Sequence, residues 1–126
     1  MRALLLLIAL SGCAAAATDS AGSQDALGRE LAGMTAGEPA NCVSSSGTGG
    51  SLQVVDDQTL VYRTGRTTWV NHLASGCPGM RPLDTLIVEA NGSQYCRGDR
   101  IRSVAPGQSI PGPTCVLGDF TPYRTR

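Results

Sequence analysis

The chain has 126 residues, a formal net charge of zero, 41% hydrophobic residues and 4% aromatics, which is room for one small domain. Its ten basic residues are all Arg and are balanced by ten acids, so it has neither the basic excess of a nucleic-acid binder nor an acidic disordered body. One Trp, one Phe and three Tyr are too few for an aromatic stacking platform.

Met1-Arg2 supplies a short positive start, and Ala3 to Leu10 is an unbroken apolar run of eight residues. That length fits a signal-peptide core and falls short of the ~20 residues a membrane-spanning helix needs. The run ends in Leu10-Ser11-Gly12-Cys13, the pattern of a bacterial lipobox. It predicts a lipoprotein signal peptide over residues 1–12 and lipidation, palmitate included, of the Cys13 thiol and amine. Each buried CH₂ contributes roughly 0.8 kcal/mol, so two or three acyl chains hold a domain stably on a membrane. Ala14 stands where an Asp commonly retains Gram-negative lipoproteins at the inner membrane. The expected location is therefore the cell envelope, at the outer membrane and facing the periplasm.

Residues 13–23 are small and polar, and read as a flexible tether. Over residues 24–38, Leu27, Leu31 and Met34 fall at helical spacing, which predicts a short helix over Asp25 to Met34 and a linker ended by Glu38-Pro39. Residues 39–122 form the expected β domain, with 123–126 as a tail. Ser44 to Ser51 is a loop of Ser, Gly and Thr alone. Strands are expected at Leu52–Val55, Thr59–Thr64 and Thr67–Leu73, joined by Asp56-Asp57-Gln58 and Gly65-Arg66 turns into a meander. Ala74 to Pro82 is a loop. Thr85–Glu89 is continuously apolar in its middle and reads as a central strand, with Ile87 in the core. Asn91-Gly92 is a strong hairpin signal. Gln94–Cys96 and Arg100–Val104, either one bulged strand or two short ones, and Thr114–Phe120 complete about six strands, with a Pro106–Pro113 loop before the last. The expected class is mainly β: a small antiparallel meander or partly closed barrel, with one short N-terminal helix. Trp69 and Leu73 share a strand face and are expected in the core.

With Cys13 spent on lipid, four cysteines remain in an oxidising compartment: Cys42, Cys77, Cys96 and Cys115. A thin core calls for covalent staples. The expected pairing is Cys42–Cys115, tying the ends, with Cys77–Cys96; these loops would contribute roughly 4 and 3 kcal/mol. The alternative is Cys42–Cys77 with Cys96–Cys115. There is no C-x-x-C redox motif, and the spacings of 35, 19 and 19 residues lack the close pairs that zinc requires.

His72, the only His, is expected at a strand surface or rim. Asp56 and Asp57 fit turn chemistry, and Asp99 fits an ion pair with Arg63 or Arg100 or a turn cap. The Ser/Gly stretch matches neither a nucleophile elbow nor a phosphate loop. No catalytic set, metal or cofactor is predicted.

Several strings together resemble a known family. They are Glu38-Pro39-Ala40-Asn41-Cys42, Val54-Val55-Asp56-Asp57-x-Thr59-Leu60-Val61-Tyr62 and Trp69-Val70-Asn71-x-Leu73. With them come Cys77-Pro78-Gly79-Met80-Arg81, Tyr95-Cys96-x-Gly98-Asp99-x-Ile101 and Cys115-x-Leu117-Gly118-x-Phe120-x-Pro122. Over about Leu31 to Pro122 these are similar to an uncharacterised bacterial family of small lipoproteins carrying a domain of unknown function. The resemblance implies a secreted, disulfide-stapled β domain and no particular activity.

The expected function is that of a lipid-anchored envelope protein with a non-enzymatic binding or structural module. Its partners would be the membrane, through the lipid, and an envelope protein or the cell wall, with no nucleic acid. One alternative is an inhibitor or chaperone-like binder of a periplasmic protein, working through the Gly/Ser and Pro106–Pro113 loops. Another is a small hydrolase built on Asp56, Asp57, Asp99 and His72.

Overall fold

The computed structural model describes residues 15–46 and 50–126. The expected signal peptide and Cys13 lie outside the described residues. Helix α1 (Ala15–Leu31) is followed by β1 (Met34–Ala36), β2 (Cys42–Ser44), β3 (Gln53–Val54), β4 (Thr59–Thr64) and β5 (Thr67–His72). Then come β6 (Thr85–Glu89), β7 (Gln94–Cys96), β8 (Arg100–Val104), β9 (Cys115–Val116) and β10 (Phe120–Thr125).

The architecture is mainly β, with all pairings antiparallel in three sheets and no closed barrel. A five-stranded sheet has the order β1-β10-β5-β4-β3; the others are β2-β7 and β6-β8-β9. The meander β3-β4-β5 forms as its short turns dictate, with Gly65 at φ 55° closing the β4–β5 hairpin.

Strand parity explains the two cores. Leu60 and Tyr62 on β4, with Leu73 just after β5, bury against Phe120, Met80 and Ile101, and Trp69 packs there half-buried. The opposite parity places Val61 and Val70 on the other face, where Leu27 and Leu31 of α1 cover them. Both faces of the central sheet are therefore occupied.

The α1 seat carries a polar clasp. Glu30 accepts from Arg63 through both carboxylate oxygens, at 2.7 and 2.6 Å, and from the Thr68 hydroxyl at 3.1 Å. The Arg63 hydrogen bonds hold the Glu30 carboxyl below its ordinary value of 4.5, against the opposing effect of burial. A lowered folded-state pKa means that the stabilisation is present above the unfolded value and fades as pH falls through the folded one. Glu30→Gln should therefore cost up to about 1 kcal/mol at neutral pH, as for partly exposed ion pairs. In thermal melts from pH 7 downward, the gap between variant and wild type should close below pH 4.5.

A second polar device lies deeper. Asn71 is fully buried, and its side-chain amide pairs with the backbone of Gly118 in both directions. Nδ2 donates to the Gly118 carbonyl at 2.7 Å, and the Gly118 N–H donates to Oδ1 at 2.9 Å. The side chain thus extends the ladder beyond the Phe120↔Asn71 position of β10–β5. Position 118 must be glycine, because a Cβ there would stand 2.1 Å from the His72 carbonyl oxygen.

Several expectations are corrected. The helix begins at Ala15, so most of the expected tether is helical; Ala15 to Ala17 are strong helix formers, and docked Leu27 supports the rest. It stops at Leu31, where Gly33 at φ 80° ends it, and Met34 opens a strand. There are ten strands among the described residues, not about six, and the tail is strand β10. Pro122 masked that strand; it sits just beyond the β1 pairing, where its carbonyl accepts from Gly37 N–H at 2.8 Å. The expected central strand Thr85–Glu89 is an edge strand. Ile87 is 46% exposed rather than core, because Leu86 and Val88 take the inward parity.

Both expected disulfide pairings are also corrected. The bonds are Cys42–Cys96 and Cys77–Cys115. Cys42 lies directly opposite Cys96 in the β2–β7 register, a pairing set by the ladder and not by loop length.

Candidate functional site

The loop between β5 and β6 ends in a tight turn over Arg81 to Asp84. Asp84 N–H donates to the Arg81 carbonyl at 3.2 Å, and Arg81 N–H donates to Asp84 Oδ2 at 3.0 Å. These reciprocal bonds hold Leu83 at φ 75°, the only non-glycine residue in the left-handed region among the described residues. A branched side chain there stores roughly 1–3 kcal/mol of strain. Leu83 is also 88% exposed. Leu83 thus combines a strained backbone with an exposed apolar side chain.

Leu83 stands at the rim of a cleft of about 480 Å³ between the five-stranded and three-stranded sheets. Leu52 and Val54 line one wall, from the β3 edge, and Leu86 and Val88 line the other, from β6. Tyr95 of β7 also lines it, with its ring set edge-on to buried Tyr62 at a centroid distance of 5.5 Å. Burial pushes the Tyr62 phenol pKa up, and its hydroxyl donates to the Ser44 carbonyl at 3.0 Å. Among the described lining residues the one charged side chain is Asp84; Ser51, Gln53 and Thr85 supply neutral polar groups.

The lining mixes apolar side chains, Leu52, Val54, Leu86 and Val88, with polar ones, Ser51, Gln53, Asp84 and Thr85, drawn from strands and the loops beside them. The sequence did not single it out: Leu83 belongs to no periodic element, and its one cue is an apolar residue wedged between Pro82 and Asp84.

The residues that were singled out lie elsewhere. Asp56 accepts from Gln58 N–H at 2.8 Å, closing the β3–β4 turn, and also receives the Gln24 amide. Asp57 is exposed on the same turn. Asp99 accepts from Cys96 N–H at 2.8 Å and so caps the β7–β8 turn instead of pairing with Arg63 or Arg100. Those two arginines pair with Glu30 and Glu89. His72 is exposed, with Nδ1 3.5 Å from Thr59 Oγ1. Gly92, at φ 73°, makes a turn at Asn91-Gly92 but not the expected hairpin, because β6 pairs with β8 and β7 with β2. Of the two loops expected to make contacts, only the Gly/Ser loop reaches the cleft, through Ser51.

Among the described residues no group of three or more His, Cys, Asp or Glu is placed to hold a metal ion, and no helix is long and apolar enough to cross a membrane. A family model described as a family of unknown function, DUF6491, matches residues 1–123. No curated protein and no solved structure matches the chain.

Proposed function

The chain belongs to the family of unknown function DUF6491, and from its own residues we propose that it is a bacterial envelope lipoprotein whose β domain is a non-enzymatic binding module. Cys13 carries the lipid, and the domain faces the periplasm from the outer membrane. The lipobox at Leu10-Ser11-Gly12-Cys13 supports the anchor. Two disulfides fit an oxidising compartment. The observation that carries the binding reading is the cleft with Leu83 strained and exposed at its rim.

Two measurements test the reading. Labelled palmitate should enter the wild type and not Cys13→Ala, and the wild type should sediment with outer membrane on a density gradient. Equal labelling of both proteins would overturn the anchor, and recovery with inner membrane would overturn the sorting. For the cleft, the apolar dye Nile red should bind the wild type with a blue-shifted emission. Ser51→Trp, at an exposed lining position, should weaken that binding by at least ~10-fold, equivalent to ~1.4 kcal/mol. Dye binding that is absent, or equal in both proteins, would overturn the cleft as a binding site.

A further inference from the structure

The cleft is bordered by two strand edges. Among the described residues β3 is hydrogen-bonded only to β4, and β6 only to β8, so each leaves one edge without a described partner. Open edges are templates for pairing, and folded proteins keep them short or guard them with charges, prolines or bulges. The other edge strands here follow that rule: β3 and β9 have two residues, and β1, β2 and β7 have three. β6 does not. It has five residues, Thr-Leu-Ile-Val-Glu, in unbroken register with β8, with no proline and no bulge.

Side chains add to the case. Leu86 and Val88 point toward the cleft, while Ile87 stands 46% exposed on the other face of the same strand. Leu83, at the strand's entry, is 88% exposed. A chain laid along β6 would therefore meet apolar surface on both of its faces. Among the described residues the one charged group lining the cleft, Asp84, immediately precedes β6 and favours a cationic neighbour.

We infer that the occupant of this cleft is an extended polypeptide segment that adds as a strand to the open edge of β6. Its inward side chains are apolar and fill the space beside Leu52 and Val54, and a Lys or Arg lies against Asp84. Backbone hydrogen bonds to the edge hold the segment, and the alternate side chains select it. This rests on the cleft being a binding site and names the class of ligand.

The test uses the full chain and a short capped peptide alternating valine and threonine, with one lysine in the valine register at the end that reaches Asp84. The peptide should bind, displace Nile red, and slow hydrogen exchange at amides on the open edge of β6. N-methylating every second peptide amide in one phase removes the donors that face β6, and should weaken binding at least ~10-fold. Methylation in the other phase should leave it within about twofold. Equal behaviour of the two phases, or unchanged exchange along β6, would overturn strand addition. The same peptide with glutamate in place of that lysine should bind more weakly, and Asp84→Asn should narrow that difference. Equal binding of the two peptides to the wild type would overturn the preference for a cation. A dimer in sedimentation that the peptide does not disperse would give the edge to a second copy of this chain and overturn the peptide assignment. If Nile red binds the wild type but the peptide does not, strand addition fails and the cleft stands; if neither binds, both fail.

Discussion

Asn71→Leu should destabilise the domain by roughly 2–6 kcal/mol, a large share of the ~5–15 kcal/mol that keeps a small domain folded. Leucine keeps the branched outline of asparagine, but its bulkier methyl groups would crowd Gly118 at the 2.7 and 2.9 Å now spanned by hydrogen bonds, which adds to the loss. The rest of the loss comes from Gly118, whose N–H and C=O both pair with the Asn71 amide. Removing that amide strands a donor and an acceptor beside a residue with no solvent exposure. Each such group costs about 1–3 kcal/mol. Gly118→Ala probes the same contact from the other side, since its Cβ would fall 2.1 Å from the His72 carbonyl oxygen. Urea titrations should show both variants with a much lower midpoint. An unfolding free energy for Asn71→Leu within about 1 kcal/mol of wild type, the scale of one neutral hydrogen bond, would refute the account.

Removing the Cys77–Cys115 bond should have an effect of similar size. Closing a loop of 38 residues gives roughly 4 kcal/mol in the chain-entropy model, and the 54-residue Cys42–Cys96 loop gives about the same. Access separates the two bonds. Cys77 and Cys115 are 1% and 6% exposed and sit in the main core, whereas Cys42 and Cys96 are half-buried on a two-stranded sheet. A dithiol reductant under native conditions should therefore open Cys42–Cys96 first and leave Cys77–Cys115 closed until the domain unfolds. Peptide mapping after timed alkylation reads this directly. Simultaneous loss of both bonds, or earlier loss of Cys77–Cys115, would contradict the burial argument. The double variant Cys77→Ala/Cys115→Ala should melt far below Cys42→Ala/Cys96→Ala, because it also empties space in the core.

Local patterns read true where the information was local. The bounds of β4, β6, β7 and β8 coincide with the expected Thr59–Thr64, Thr85–Glu89, Gln94–Cys96 and Arg100–Val104. Each is a run of β-formers closed off by Gly, Asp or Asn, and turn chemistry acts over two or three residues. Asp56 closing its turn, Asp99 capping another and the common face of Trp69 and Leu73 follow from the same short-range rules. The cleft left almost no trace, since Leu52 and Leu86 lie 34 positions apart and meet only through folding.

The sequence by itself determined the class of the fold, the positions of its turns, and the need for staples in a chain with so few aromatics. Tertiary structure alone decided the partners. Cys42 meets Cys96 because β2 pairs with β7, and no spacing rule contains that register. β6 became an edge and Ile87 an outer residue because β8 took one side of it and no described strand took the other. An apolar run such as Thr85–Glu89 states that a strand is present, but its period of two leaves open which parity faces inward. That choice belongs to whatever packs on the sheet, as α1 does on the second face of β4 and β5. Long-range contacts, not local preference, turned a string of correctly placed strands into two cores and an open cleft.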